Sequence, residues 1–224
     1  GKLDLAGGGS VDFDRLIVAP GIGFDPVPGL ETPELQAMVP HAWVAGDQTL
    51  TLRSQLLNMR NGGTVIMTIP KAPYRCPPGP YERACVIADY LKRKKPKSKI
   101  IVLDANPGIQ AEVAIFLNAF NMTYAGRLTY VPNAEVVRVS FEGARRLAWV
   151  RDGAGEVSYG CDVLNHIPRN TAAPVIHQLG LANVAGRWAG VDPLSFESTA
   201  ASRIHAIGDA QGTGLPKAGH IANS

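Results

Sequence analysis

The residues best suited to chemistry lie in one proline-rich stretch, Pro70-Lys71-Ala72-Pro73-Tyr74-Arg75-Cys76-Pro77-Pro78-Gly79-Pro80-Tyr81-Glu82-Arg83. Cys76 stands between Arg75 and a stiff Pro-Pro-Gly-Pro run, near Lys71 and Arg83 in sequence. Adjacent cations lower a thiol pKa and enlarge its thiolate fraction, so a thiol fixed in such a setting is a nucleophile. A cysteine packed as a small hydrophobe is inert, and the residue types alone leave both readings open. Glu82 falls in the first turn of a helix opened by Pro80. There a carboxylate serves either as a proton acceptor beside the thiol or as a stabiliser of the helix N-terminus.

Other chemistries lack their residues. No Gly-x-Gly-x-x-Gly and no Walker-type loop occurs. Where a doubly wound domain would carry its phosphate loop, after a strand at 64–69, Pro70, Pro73, Pro77, Pro78 and Pro80 leave few backbone N–H groups for a pyrophosphate. Nicotinamide binding is therefore not expected. The five histidines are dispersed and there is no CxxC, so no metal site is expected. Three cysteines, Cys76, Cys85 and Cys161, cannot all pair within one chain. A net charge of +3 gives no reason to expect nucleic acid. No run of eighteen apolar residues occurs, so no membrane span is expected.

The elements that must position these residues follow from the apolar pattern. With 46% hydrophobic and 18% charged residues over 224, the chain reads as a packed globule rather than a disordered tail or coiled coil. Residues 15–19 form a short buried strand, preceded by a Gly7-Gly8-Gly9 hairpin turn, and 22–40 are mostly irregular with a short helical turn near Glu34. A helix at 47–59, a strand at 64–69, a helix from about 80 to 93, and a strand at 99–104 follow. Strand–helix–strand order with continuous apolar strands implies a parallel sheet covered on both faces. A further helix fits 108–121. From 127 to 160 the pattern turns to a β-meander with turns at Pro132-Asn133, Glu142-Gly143 and Asp152-Gly153, and 161–168 and 203–208 are two more buried strands, the second closing on Gly208-Asp209. The basic cluster at 92–99 reads as a solvated helix end.

The proline-cysteine loop, the strand end Leu16-Ile17-Val18-Ala19-Pro20-Gly21-Ile22, and Ile204-His205-Ala206-Ile207-Gly208-Asp209-Ala210 with Leu215-Pro216-Lys217-Ala218-Gly219 together resemble the flavoprotein subunit of flavocytochrome c sulfide dehydrogenase. The loop is specific to that family. The Ala-Pro-Gly and Gly-Asp-Ala motifs are shared with the wider flavoenzymes related to glutathione reductase and sulfide:quinone oxidoreductase. The resemblance implies a doubly wound, Rossmann-like α/β fold with a β-meander, one part of a glutathione-reductase-like architecture of two dinucleotide domains. It implies an internal portion of a longer chain, without the family's opening FAD-binding glycine motif and closing interface domain. Residues 1–40 would then belong to the FAD-binding domain and its connection, 41–160 to the central NAD-like domain, and 161–224 to the return into the FAD-binding domain.

By the same resemblance, Cys76 matches one of two redox cysteines beside the flavin, and Glu82 an acidic residue close to them. Ala19, Gly21, Gly208 and Asp209 match cofactor-binding positions, with Asp209 receiving the flavin ribityl hydroxyls; as a residue type alone it equally caps the turn that follows. Pro216 and Lys217 match the turn at the pyrimidine edge of the flavin, where a cation stabilises the reduced ring. One position departs: the second redox cysteine is replaced by Ala189 in Trp188-Ala189-Gly190-Val191-Asp192. The implied protein is a periplasmic FAD-dependent oxidoreductase passing electrons from sulfide or another small sulfur compound to a c-type cytochrome. The alternatives are a flavoprotein with another donor or a quinone acceptor, and a non-catalytic module that docks a cytochrome. The 224 residues by themselves, lacking the glycine motif, are expected to hold FAD weakly and to be inactive.

Overall fold

The computed structural model describes residues 1–152 and 155–214. In chain order the elements are β1 (Lys2–Asp4), β2 (Ser10–Asp12), β3 (Leu16–Val18), β4 (Ile22–Phe24), α1 (Pro33–Met38), α2 (Asp47–Asn58), β5 (Thr64–Ile69), α3 (Gly79–Lys94) and β6 (Lys99–Asp104). They continue with α4 (Val113–Asn118), β7 (Leu128–Val131), β8 (Val136–Glu142), β9 (Arg145–Asp152), β10 (Gly155–Cys161), β11 (Val163–His166), β12 (Asn170–Ala172), α5 (Pro174–Gln178) and β13 (Ile204–Ala206). The chain divides into two units: residues 25–169, and residues 1–24 with the described residues from Asn170 onward.

In the 25–169 unit, β11, β5, β6 and β7 form a parallel sheet in that order, with Val163 opposite Val65, Val65 opposite Ile100, and Ile100 opposite Leu128. Apolar runs such as Val65-Ile66-Met67 are fully buried because both faces are covered. Helix α3 crosses from β5 to β6 and buries Tyr81, Ala84, Ile87, Ala88 and Leu91, a stripe at helical spacing. Pro80 sits in its first turn and Lys92, Arg93 and Lys94 in its last, where the dipole favours cations. Strands β8, β9 and β10 form an antiparallel meander, and Val139, Ala148, Val150 and Cys161 pack with Ile66, Leu103 and Leu164 of the parallel sheet. The α/β fold with its meander is thus the one expected.

In the other unit, β1 and β2 form a hairpin around Gly8 and Gly9, β3 pairs in parallel with β13, and β4 pairs antiparallel with β12. Ala172, Ile176, Leu181, Trp188, Ala189 and Ala206 form its core cluster.

Several local expectations change. The helix expected over 108–121 begins only at Val113, because Glu112 takes a left-handed φ of 50° and the preceding loop is held by hydrogen bonds from Asn106 and Gln110 to buried partners; beyond Asn118 it continues as a π turn, Ala119–Thr123. Leu128–Val131 joins the parallel sheet rather than the meander. The strand expected to be buried at 15–19 is three residues long with Ile17 65% exposed, since β13 is its one strand neighbour among the described residues. Lys95 is not merely solvated: its ammonium donates to the carbonyls of Leu57 and Met59, closing the end of α2. The division between units falls at 24/25 and 169/170, and α1 and β11 pack with the 25–169 unit.

Candidate functional site

The proline loop joins β5 to α3 at the carboxyl end of the parallel sheet, the end at which ligands bind in open α/β folds. Within it the Ala72–Pro73 peptide is cis, and Cys76 is exposed with a left-handed φ of 54°. The Gly79 N–H donates to the Cys76 carbonyl at 2.9 Å and the Glu82 N–H to that of Pro78 at 3.0 Å, so the thiol sits one turn ahead of α3. Gly79 is required by close approach: a Cβ there would meet the Cys76 Sγ at 3.0 Å and the Trp43 ring at 2.9 Å. Glu82 is exposed in the first turn of α3.

Two of the cations that the sequence places around the thiol, Arg75 and Arg83, are engaged elsewhere. Arg83 donates to the carbonyls of His41 at 3.0 Å and Ala42 at 2.6 Å and to Asn165 Oδ1 at 3.2 Å, with its guanidinium 4.8 Å from the Trp43 ring centre. Burial lowers its pKa from the usual arginine value. Arg75 donates to the Trp43 carbonyl at 3.2 Å. Both therefore fasten the 41–43 segment beside the loop, a role that sequence proximity to Cys76 did not disclose.

Beneath the loop lies a polar cluster that sequence reasoning missed. Asp104, the last residue of β6, is fully buried. Its carboxylate accepts from Tyr81 Oη and Tyr130 Oη at 2.8 Å each, and from the Asn106 N–H and Nδ2 at 2.9 and 2.7 Å. Burial, together with the neighbouring Asp104, pushes the phenols of Tyr81 and Tyr130 far above the usual tyrosine range, so they stay protonated donors. A charged residue ending an otherwise apolar strand was the one available signal. In nucleotide-binding relatives of this topology an acidic residue in such a position reads the ribose hydroxyls; here the tyrosine hydroxyls take its lone pairs.

A second cluster lies at the ends of β5 and β11. His166 is 6% exposed, with its Nδ1 2.8 Å from Thr68 Oγ1, and burial pushes its imidazole down to about 4. It borders a cavity of about 330 Å³ that Lys71, Glu135, Arg151 and Arg169 also line.

In the other unit, β3 and β13 end side by side, Val18 opposite Ala206, and the Ile207 N–H donates to the Val18 carbonyl at 3.1 Å. This brings together the expected residues Ala19 and Gly21 on one strand end and Gly208 and Asp209 on the other. Gly21 and Gly208 have φ of 74° and 69°, and no atom stands within 4 Å of where a Cβ would be, so both present open main chain. Asp209 is half-buried in the 3₁₀ turn Gly208–Ala210. Ala189 is fully buried, its N–H donating to the Ala210 carbonyl at 3.0 Å. Pro216 and Lys217 lie outside the described residues. Among the described residues no helix is long and apolar enough to cross a membrane.

Comparison with solved structures supports the fold. The sulfide:quinone oxidoreductase of the hyperthermophilic bacterium Aquifex aeolicus superposes with a TM-score of 0.72 at 17% identity, over 94% of this chain and 49% of that one. The HOCl-induced flavoprotein disulfide reductase RclA of Escherichia coli gives 0.60 at 20% identity, over 98% and 45%. A chain of the Tetrahymena thermophila mitochondrial ATP synthase gives 0.64 at 17%, over 96% and 54%. The protein thus spans about half the length of the structures it resembles. Residues 49–168, more than half of the chain, match the central region of the sulfide dehydrogenase (flavocytochrome c) flavoprotein chain, and the protein belongs to that family.

Proposed function

We propose that this chain is the central part of a periplasmic FAD-dependent oxidoreductase that takes electrons from sulfide or another small sulfur compound and passes them to a c-type cytochrome. The supporting observation is the exposed Cys76, held at a left-handed φ on the proline loop within a chain of the flavoprotein family. The open main chain at Gly21 and Gly208 beside Asp209 fits a dinucleotide, with Ala19 and Gly21 backing it, Asp209 accepting from its polyol, and Pro216 and Lys217 assigned to the ring edge. Bound there, FAD supplies a two-electron acceptor that releases its electrons singly. Cys76 as thiolate would take up the sulfur of hydrosulfide, an S–S bond forming as the S–H bond breaks and the proton passing to Glu82, with a bound FAD as the oxidant for the electron pair released. Ala189 in place of a second cysteine means the persulfide on Cys76 is released to an external thiol or sulfide rather than to a resolving partner in the same chain.

The test is reduction of the full-length protein's flavin by sulfide, read as loss of its visible absorbance. Cys76→Ser should slow it by on the order of 10³. Ala189 at the place of the family's second redox cysteine favours one further reading, a flavoprotein using another donor or a quinone acceptor; reduction only by a different donor, untouched by Cys76→Ser, would select it. A full-length protein without flavin would leave the cytochrome-docking role.

A further inference from the structure

The Asp104 carboxylate is fully buried, yet its three donor residues among the described ones, Tyr81, Tyr130 and Asn106, are all uncharged. A carboxylate in that setting is less economical than an apolar side chain unless its hydrogen bonds hold something in place. Two of the donors lead into the loop that carries Cys76. The Asn106 side chain, fixed on Asp104, donates from Nδ2 to the Pro70 carbonyl at 3.0 Å and accepts the Ala72 N–H on Oδ1 at 2.9 Å, clasping the loop where it leaves β5. The Tyr81 hydroxyl, also on Asp104, stands 3.5 Å from Tyr74 Oη, which lies 3.3 Å from the Pro77 carbonyl on the far side of Cys76. Asn106 thus holds the chain ahead of Cys76 and Tyr81 the chain after it, both on one carboxylate, while the single Tyr74 proton serves either Tyr81 or Pro77. The third donor, Tyr130, reaches the same oxygen from β7 at the same 2.8 Å, with no hydrogen bond to the loop.

We infer that Asp104 and Asn106 are positioning residues for Cys76, acting through Tyr81 and the loop main chain to set where the thiol stands and how far it is exposed. The proposal rests on the reading of Cys76 as the working thiol. It gives the strand-end carboxylate a different role, in which a position suited to a ribose instead organises a cysteine loop.

The three phenol and amide contacts allow a direct test on the 224-residue chain. Its thiols are titrated with 5,5′-dithiobis(2-nitrobenzoate), each thiolate displacing one thionitrobenzoate, and labelled peptides are mapped to follow Cys76 separately from Cys85 and Cys161. Asn106→Ala and Tyr81→Phe should raise the Cys76 rate about fivefold as the loop opens, whereas Tyr130→Phe, which removes an equal bond to the same carboxylate, should leave it within about twofold. A merely structural role would lower the unfolding temperature in all three and leave the Cys76 rate alone. Rates within about twofold of the parent for both Asn106→Ala and Tyr81→Phe, or an equal rise for Tyr130→Phe, would overturn the proposal. Tyr81→Phe removes a single oxygen and keeps the test decisive if Asn106→Ala does not fold. Failure of Cys76→Ser to affect sulfide reduction of the full-length flavoprotein would instead overturn the functional reading, and it leaves these rates unchanged.

Discussion

Thr68 Oγ1 and His166 Nδ1 stand 2.8 Å apart at the carboxyl ends of neighbouring parallel strands, and the same hydroxyl accepts the Ile167 N–H at 3.0 Å. The contact fixes the orientation of the imidazole. Burial first, and the nearby His41 second, push His166 down to about 4; His41 is itself pushed down to about 4 by burial and Arg83. Each folded pKa lies below the unfolded value near 6.5, so between these limits the unfolded chain binds more protons. Stability is complete above about pH 6.5 and falls as the pH drops towards about 4. Urea unfolding should show this loss, and His166→Leu should remove part of it, on the order of 3 kcal/mol at about pH 4 and below. An unchanged slope in the variant would contradict the assignment.

Arg83 is expected to be a structural rather than an activating cation. Its removal takes from the Ala42 carbonyl its side-chain donor, leaves that of His41 to Asn165 Nδ2, and uncovers Trp43. Arg83→Gln should lower stability by about 2–4 kcal/mol in denaturant unfolding, with a change in tryptophan fluorescence. A loss below about 0.5 kcal/mol would show the contacts to be incidental.

The three thiols should react in a fixed order. Cys161 is buried and its thiol is pushed up to about 12 by burial, while that of half-buried Cys85 is raised by burial and by Glu82. Iodoacetamide at about pH 8 should therefore label exposed Cys76 first, Cys85 more slowly, and Cys161 only on unfolding. Early labelling of Cys161 would place the closure of β10 against the parallel sheet in question.

NADH should not bind the 25–169 unit. Prolines replace the N–H groups that cradle a pyrophosphate, and the Asp104 carboxylate is taken by Tyr81, Tyr130 and Asn106. Titration calorimetry should be flat, and heat fitting a micromolar site would refute both reasons together.

Where a local pattern was strong, the sequence by itself determined the element. The apolar runs at 64–69 and 99–104 became strands with those same limits, because a fully covered parallel strand needs apolar residues on both faces. The stripe of α3 and its Pro80 placed the helix that follows Cys76. Motif content likewise marked the cysteine loop and the Gly208-Asp209 strand end independently of any geometry, since proline restricts the main chain wherever it occurs. What tertiary structure decided were the partners. Sequence proximity put Arg75 and Arg83 beside the thiol, but their long side chains reach the 41–43 carbonyls and supply donors to them. The helix expected over 108–121 starts late, at Val113, because Asn106 and Gln110 ahead of it are held by Asp104 and Tyr81, groups 2 and 29 positions away. Asp104 itself looked like a strand end and became the centre of the loop's support. A buried carboxylate takes its meaning from the donors that the fold brings to it, and Tyr81 and Tyr130, 23 and 26 positions away, carry in their spacing no trace of that meeting.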